Sequence, residues 1–326
     1  MKLDYANPSQ EPAHPCADFQ GTAVSVNPSP PETADAARAE GPQLWFDGEL
    51  VVADSLRAPL TTHALHYGSG VFEGIRSYAT VDGGAAVFRL SEHLARMHKG
   101  AALLGIAFDI AEATQATLAV LRANQHRDAY VRPLTWCGTG SIGLDVASLT
   151  KHMMVATFPT GVHLTGGNVK LGVSSWRRNP ATSLPPLKLC GAYVNSILAK
   201  AEAKANGFDE ALFVDERGHV VECTGANVFM VKDGDIVAVE HADALPGITR
   251  DTLLELTRAT SRTVTLEELR DADEVFVCGT AAEVTPIASL DGRRFDSDDV
   301  GREVARIYQR VVRGEDAQHR SWLTNV

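Results

Sequence analysis

The sequence predicts an α+β fold, on three observations. Its 326 residues suffice for two domains of ordinary size, and hydrophobic residues make up 44% of them, so each domain can bury a core. Apolar alternation is interrupted by Asp-Gly turns at residues 47–48 and 82–83, which is typical of antiparallel hairpins. In the first half, helical periodicity follows the hairpins instead of alternating with single strands, which disfavours a series of βαβ units.

Four segments are predicted along the chain. Residues 1–41 are rich in Pro, Ala, Ser and Glu and lack apolar periodicity, so we expect a disordered N-terminal extension. Residues 42–157 are predicted to form a small α/β domain, and residues 169–326 a larger one. The Gly- and Thr-rich stretch between them, residues 158–168, is predicted to be the interdomain connector.

In the smaller domain, a helix is predicted to begin at Ser91. Serine is a favoured N-cap residue, and Leu94, Met97 and Ala101 follow it at helical spacing. A second helix is predicted over residues 111–124. The strands predicted for this domain from their apolar patterns are 44–46, 49–52, 71–78, 86–90, 130–136 and 153–158.

In the larger domain, a proline-rich loop at residues 179–187 separates the first predicted strand from a helix at residues 193–206. A further helix is predicted to begin after Gly247 and to continue towards Thr260. The strands predicted for this domain are 169–175, 210–214, 220–223, a hairpin at 227–237, and 273–278.

The composition disfavours several classes of function. A formal net charge of −11 disfavours nucleic-acid binding, which needs clustered Lys and Arg. No apolar run is long enough to span a membrane, and the first residues lack the apolar core of a signal peptide. The five cysteines are scattered without a CxxC pair, which favours reduced thiols in the cytoplasm over disulfides or a metal site. No P-loop, dinucleotide-binding, serine-hydrolase or zinc-protease motif occurs.

Residue chemistry alone marks a few candidate positions. Lys188 lies between apolar residues, which lower the pKa of an amine and favour nucleophilic chemistry, although a lysine whose stem covers apolar surface is the simpler interpretation. Residues 247–249 at a predicted helix start, and Thr280 after an apolar strand, could bind an anion through backbone N–H groups or form an ordinary cap and turn. Arg132, in an apolar strand, needs a partner in a site or in a structural ion pair.

Seven runs of residues, taken together and in order, resemble the branched-chain amino acid aminotransferases, enzymes of fold type IV. The resemblance extends from about residue 45 to about residue 322. It implies two α/β domains with mixed, largely antiparallel sheets and an active site between them. The runs are 62–78 (THALHYGSGVFEGIRSY), parts of 88–96 (FRLSEHLAR), 130–134 (YVRPL), 188–193 (KLCGAY), 222–229 (ECTGANVF), 245–250 (LPGITR) and 279–283 (GTAAE).

The resemblance implies pyridoxal 5'-phosphate (PLP) as cofactor and Lys188 as the catalytic residue. Lys188 matches the lysine that binds PLP covalently and later moves a proton. Tyr193 matches the tyrosine beside the phenolic oxygen of the cofactor ring, and Glu222 the carboxylate that pairs with the ring nitrogen. The residues that match the phosphate cup are Arg96, Ile248, Thr249 and Thr280.

The resemblance also implies the substrates: L-leucine, L-isoleucine or L-valine with 2-oxoglutarate, in a ping-pong cycle. Thr280 and Ala281 resemble the backbone donors to the substrate carboxylate, and Arg132 resembles the arginine that accepts the distal carboxylate of glutamate. A loop at residues 142–144 resembles one that the partner subunit contributes, so a homodimer or larger homo-oligomer is implied. The residues that match the wall around the substrate side chain are Tyr67, Phe72, Tyr130 and Leu144.

Four positions depart from the family pattern. Thr160 and His163 stand where Trp and Tyr are common, Ala192 replaces an Asn, and Ala226 replaces a Glu. Because none of them alters the matched lysine, we expect an effect on side-chain preference, as in a specialised amino acid aminotransferase. The alternatives are a D-amino acid or (R)-amine aminotransferase or an aminodeoxychorismate lyase of the same fold, and a catalytically inactive scaffold protein.

Overall fold

The strands of residues 41–159 and 168–326, the residues that the computed structural model describes, form two sheets. The strands are β1 (Gln43–Phe46), β2 (Glu49–Val52), β3 (Gly70–Phe72), β4 (Ile75–Ala79), β5 (Ala85–Phe88), β6 (Ala129–Cys137), β7 (Lys151–Pro159), β8 (Val169–Val173), β9 (Glu210–Val214), β10 (Val220–Cys223), β11 (Asn227–Lys232), β12 (Asp235–Val239), β13 (Thr260–Arg262), β14 (Glu274–Gly279), β15 (Glu283–Leu290), β16 (Arg293–Arg294) and β17 (Leu323–Asn325). The helices are α1 (His63–Tyr67), α2 (Leu90–Leu103), α3 (Ile110–Ala123), α4 (Tyr193–Ala205), α5 (Ile248–Leu256), α6 (Leu266–Arg270) and α7 (Asp299–Val312). No helix among these residues is long and apolar enough to cross a lipid bilayer.

The first sheet has the strand order β17-β5-β4-β6-β7-β1-β2, with β3 paired to β6, and all of its described pairs are antiparallel. Helices α2 and α3 bury their apolar faces against it, in a core that includes Leu94, Met97 and Leu121. Burial alternates strictly along β6, so Tyr130 and Arg132 share the less buried face of this strand. That face lines the cavity described below.

The second sheet has the strand order β10-β9-β8-β15-β14-β11-β12-β13, with β16 paired to β15. Three of its described pairs are parallel, β8 with β9, β8 with β15, and β12 with β13, and the others are antiparallel. The α+β prediction with mixed, largely antiparallel sheets is therefore confirmed. The predicted boundaries at residues 157 and 169 stay a prediction, because residues 1–40 and 160–167 lie outside the described residues.

A shared apolar cluster joins the two sheets. Tyr78 and Phe88 of the first sheet contribute to it, together with Phe229 and Phe276 of the second sheet and Tyr308 of α7. The rings of Phe229 and Phe276 stack with centroids 4.9 Å apart, and Tyr308 meets Phe88 edge-on. This packing holds the two sheets together.

Three boundary predictions are wrong. The predicted strand 71–78 breaks into β3 and β4, because Pro133 opposite the break has no N–H to continue the ladder. The first long helix begins at Leu90 after Arg89, which adopts a left-handed φ of 47°. Ser91 does not cap it and donates its hydroxyl to Glu92 instead. Helix α5 ends at Leu256, because residues 260–262 pair with β12 as a strand.

Candidate active site

A cavity of about 390 Å³ opens between the two sheets and gathers most of the predicted site residues. All of them line it except Tyr67 and Leu144. The lining residues come from strands of both sheets, from α2, from the start of α4 and the segment before it, and from the start of α5. The lining residues are Phe72, Gly74, Arg96, Tyr130, Arg132, Arg178, Lys188, Tyr193, Ile197, Glu222, Thr224, Gly225, Ala226, Asn227, Leu245, Gly247, Ile248, Thr249, Cys278, Gly279, Thr280 and Ala281.

Lys188 presents its amine to a phenol inside the cavity. Its Nζ donates to the hydroxyl of Tyr193 at 2.9 Å and lies 5.5 Å from the ring centre of Phe72. The backbone around it is fixed, because the Lys188 carbonyl accepts from the N–H of Phe72 and Leu189 bridges to Val71. A primary amine held beside a phenol is suited to covalent chemistry with a carbonyl and to proton transfer.

Glu222 of β10 places a buried carboxylate at another part of the cavity. It accepts from Nε of Arg178 at 2.8 Å and from the backbone N–H of Leu245 at 3.0 Å. Burial raises the pKa of Glu222 even though Arg178 and these hydrogen bonds act to lower it. The negative charge is therefore incompletely compensated, and a further N–H donor facing the carboxylate stabilises the charged form.

Arg178 is a site residue that sequence reasoning missed. Its side chain is buried, its guanidinium lies 5.9 Å from the ring centre of Phe213, and it makes the ion pair with Glu222. The only local sign is the pair Arg177-Arg178 before the proline-rich loop. Nothing in that local pattern identifies a partner 44 positions away along the chain.

Arg96 of α2 is held at the cavity by a buried carboxylate. Both oxygens of Glu73 accept from its guanidinium, at 2.7 and 3.0 Å, and its Nη1 donates to the carbonyl of Pro246 at 2.8 Å. His93 lies 2.8 Å from the same carboxylate. Because burial lowers the pKa of His93 and a carboxylate only accepts, a neutral His93 donates from Nδ1.

We expect the Glu73 carboxylate to stabilise the folded protein at neutral pH and to lose this effect in acid. Burial raises its pKa, but the charge of Arg96 and the hydrogen bond from His93 outweigh burial and lower the pKa from 4.5 to about 2. A depressed carboxyl pKa stabilises the fold above the unfolded value and loses that effect as pH falls towards the folded value. We expect about 3 kcal/mol of unfolding free energy to be lost between about pH 5 and pH 2.

Denaturant unfolding of Glu73→Gln and wild type across this pH range measures that loss. The difference between the two proteins should shrink as pH falls, because only wild type carries the titrating group. Glu112→Gln, at an exposed position of α3, is the matched control and should follow wild type. A wild-type to Glu73→Gln difference that stays constant with pH would contradict the assignment.

The start of α5 lies beside Arg96. Gly247 is the N-cap, and the first N–H groups of a helix have no partner within it. A side chain at Gly247 is excluded, because an added Cβ would lie 1.9 Å from Oδ1 of Asn227. Arg96 reaches this end of α5 through the carbonyl of Pro246. A cation and a helix N-terminus meet here, which is a favourable environment for a phosphate.

Thr280 and Ala281 lie in the tight turn between β14 and β15. Gly279 and Glu283 are register partners at its two ends, and Thr285 closes it by donating its hydroxyl to the carbonyl of Ala282 at 2.7 Å. The turn lines the cavity across from the first sheet. Its backbone groups are therefore available to a ligand in the cavity.

The wall formed by the first sheet is aromatic with one cation. Arg132 donates to the hydroxyl of Tyr130 at 2.8 Å, and its guanidinium lies 4.8 Å from the ring centre of Phe72. The Tyr130 hydroxyl approaches the backbone closely, since an added Cβ at Gly74 would lie 2.1 Å from it. The wall can contact an apolar side chain and still offers a positive charge.

Tyr67 and Leu144 lie away from the cavity of this chain. Tyr67 belongs to α1 and is 48% exposed, while Leu144, in the loop before β7, is 80% exposed. The two segments are joined by His63, whose Nε2 lies 3.0 Å from the carbonyl of Gly143. Their predicted role in substrate binding stays a prediction.

Two of the four positions that depart from the family pattern, Ala192 and Ala226, lie among the described residues. Thr160 and His163 lie outside the described residues. Ala226 is buried and lines the cavity between Gly225 and Asn227. Ala192 is buried beneath the start of α4, where its carbonyl accepts from Asn179 at 3.2 Å. We find no contact of Ala192 or Ala226 that alters the arrangement of Lys188 and Glu222.

Comparisons with known proteins agree on one family. A family model described as amino-transferase class IV matches residues 70–290. A branched-chain-amino-acid aminotransferase of Pseudomonas aeruginosa is 37% identical over 87% of this chain and 97% of its own length.

Two solved structures are similar over the same share of the chain. The branched-chain aminotransferase of the archaeon Thermoproteus uzoniensis, solved with norvaline, is 36% identical, with a TM-score of 0.83 over 87% of this chain and 98% of its own. The enzyme of Thermobaculum terrenum, solved in its PLP form, is 34% identical, with a TM-score of 0.81 over 87% of this chain and 98% of its own.

Proposed function

Because the chain belongs to the class IV aminotransferase family, we propose that it transfers the amino group between a branched-chain L-amino acid and 2-oxoglutarate, with PLP as cofactor. The observation that carries the proposal is the Lys188 amine, held 2.9 Å from the Tyr193 hydroxyl in the cavity that also contains Glu222 and Arg96. The names of its relatives support the substrate class, since those enzymes are branched-chain aminotransferases.

The described residues fit PLP at each of its polar groups. Arg96 and the start of α5 suit the phosphate, because a guanidinium and free helix N–H groups both favour an anion. The buried carboxylate of Glu222 suits the protonated ring nitrogen. Lys188 suits the aldehyde, and Tyr193 the neighbouring phenolic oxygen. When bound, PLP supplies an electron sink that accepts the electron pair released as the substrate's α-proton leaves.

Lys188 is the proton carrier of the proposed reaction. With PLP bound, its Nζ would remove the α-proton of the amino acid and return a proton to the cofactor carbon that derives from the aldehyde. Tyr193 keeps the amine positioned through the 2.9 Å hydrogen bond. Glu222 keeps a negative charge facing the ring nitrogen, and Arg178 holds that carboxylate in place.

The cavity walls suit two different substrates. Phe72 and Tyr130 offer the apolar surface that an aliphatic side chain needs. Arg132, on the same face of β6, offers a cation to the distal carboxylate of glutamate or 2-oxoglutarate. Thr280 and Ala281 on the opposite side suit the α-carboxylate that both substrates share. A single pocket can thus serve both halves of a ping-pong cycle.

Formation of glutamate from 2-oxoglutarate, measured with one amino donor at a time, tests the function. We expect turnover with L-leucine, L-isoleucine and L-valine. Turnover with D-alanine or an (R)-amine alone would favour a related enzyme of the same fold. Preference for a bulkier L-amino acid would favour the specialised aminotransferase that Thr160 and His163 motivate. If no amino donor supports turnover after addition of PLP, the remaining alternative is a catalytically inactive scaffold protein.

We also propose that the active protein is a homodimer in the cytoplasm. Exposed apolar side chains on α1 and on the loop before β7 support an interface there, since Leu65 is 63% exposed and Ile142 is 61% exposed. Such an interface would bring Leu144 of one subunit to the site of the other. Free cysteines, among them the buried Cys137 and Cys223, are consistent with a reducing compartment.

A further inference from the structure

A buried ion pair connects the two walls of the cavity. Nη1 of Arg76, on β4 of the first sheet, lies 3.1 Å from Oε1 of Glu283, at the start of β15 in the second sheet. The side chains are 7% and 9% exposed. The guanidinium also lies 5.3 Å from the ring centre of Tyr78, which packs in the cluster between the sheets. The proposed chemistry uses neither residue of this pair.

On the side of the second sheet, Glu283 ends the turn that carries Thr280 and Ala281. It is the register partner of Gly279, so its position sets where the turn closes. Its backbone is left-handed, with a φ of 52°, which is unfavourable for a residue other than glycine unless tertiary contacts hold it. The ion pair with Arg76 is a contact of that kind, since it anchors the side chain of the left-handed residue.

On the side of the first sheet, Arg76 is tied to the aromatic wall. It is the register partner of Tyr130 in the antiparallel β4–β6 ladder, so the two side chains lie next to each other on the same face of the sheet. Gly74, which the Tyr130 hydroxyl approaches closely, lies two residues earlier in the chain. A shift of Arg76 therefore moves the wall that contains Tyr130.

We propose that Arg76 and Glu283 are a pair of positioning residues that sets the distance between the α-carboxylate turn and the aromatic wall. The pair touches neither substrate nor cofactor directly. It fixes the separation of Thr280 and Ala281 from Tyr130, and so the fit of any amino acid placed between them. The inference rests on the proposed function, because that function supplies the amino acid that would bind between the turn and the wall.

Steady-state kinetics of the PLP-loaded Glu283→Gln variant test the pair. Glutamine keeps the shape of the side chain but removes its charge, so the attraction to Arg76 is lost while the volume is kept. We expect the KM values for L-leucine and for 2-oxoglutarate each to rise about tenfold, because both bind through the same turn. We expect kcat to change less than about threefold, since Lys188 and Glu222 stay in place.

A readout independent of turnover is the dissociation constant of 4-methylvaleric acid, a branched carboxylate without an amino group. It should weaken by the same factor as KM in Glu283→Gln. Arg76→Lys keeps the cation and should restore most of the affinity relative to Arg76→Gln. Glu274→Gln is the matched control, because Glu274 is a buried carboxylate at the far end of β14 that accepts from Val300 and Gly301. It should leave KM and inhibitor affinity unchanged.

Unchanged KM and inhibitor affinity in Glu283→Gln would overturn the proposal, even if the variant melts at a lower temperature. If Glu283→Gln does not fold, the comparison of Arg76→Lys with Arg76→Gln decides in the same way. Equal affinities of these two variants would overturn the proposal. Failure of the proposed function is distinguishable, because wild type itself would then fail to form glutamate from L-leucine and 2-oxoglutarate.

Discussion

Replacing Lys188 by alanine should lower kcat for glutamate formation from L-leucine and 2-oxoglutarate by about 10⁴-fold. The side chain is the only amine lining the described part of the cavity, and its Nζ lies 2.9 Å from the Tyr193 hydroxyl. Alanine removes both the covalent attachment point of the cofactor and the proton carrier. A small external amine such as methylamine should restore part of the rate, because it can enter the vacated space and carry the proton.

The matched control is Lys170→Ala. Lys170 is an exposed lysine of β8, and its substitution removes the same charge without touching the cavity. Its kcat should stay within about twofold of wild type, as expected for a surface position. Lys188→Ala activity within tenfold of wild type would contradict the assignment of Lys188 as the proton carrier.

Glu222→Gln should lower kcat by about 10²- to 10³-fold, the size expected when one preorganised electrostatic contact is lost. Glutamine keeps the shape of the side chain, and its one carbonyl oxygen can still accept from Arg178, so the fold should be retained with some loss of stability because the amide NH2 cannot accept from the Leu245 N–H. It carries no negative charge to keep the ring nitrogen of the cofactor protonated, and the electron sink is weakened. Glu222→Ala is a poorer test, because it removes the hydrogen-bond acceptor of Arg178 as well as the charge, and breaking a buried ion pair in this way costs about 3–5 kcal/mol.

Glu274→Gln is again the control, because it removes a buried negative charge from the second sheet at a position that does not line the cavity. Both variants replace a buried carboxylate of the second sheet by an amide. We expect Glu274→Gln to lose stability without loss of kcat. Equal kcat values for Glu222→Gln and wild type, measured at saturating PLP, would contradict the role of Glu222 at the ring nitrogen.

Elements with strong local patterns were predictable from the sequence. The Asp-Gly hairpin of β1 and β2 and helix α4 match the predicted ranges closely, because turn chemistry and apolar periodicity are local properties. Helix α7 was missed although its signal is present: Val300, Val304 and Val311 recur at helical spacing. Pro133 and the tertiary contacts of Arg89 set boundaries that no local pattern contains.

The candidate site was predictable mainly through the resemblance of whole runs of residues. Lys188, Glu222 and Arg96 are far apart in sequence, and no spacing rule brings them to one cavity. The partners that hold them were not predicted. The ion pairs Arg178–Glu222 and Arg76–Glu283 join residues that are far apart in the sequence. A charged residue in a sequence does not indicate which opposite charge it will pair with in the fold.

We propose that Lys188 binds PLP and that the protein transaminates a branched-chain L-amino acid. The absorbance spectrum of the purified full chain with PLP, recorded before and after addition of L-leucine, tests both points together. We predict a visible band of the lysine-bound cofactor that shifts to the shorter-wavelength pyridoxamine form with L-leucine, and that is absent from Lys188→Ala. A visible band that L-leucine does not change would contradict the proposed substrate, and no band with added PLP would contradict the proposed cofactor site at Lys188.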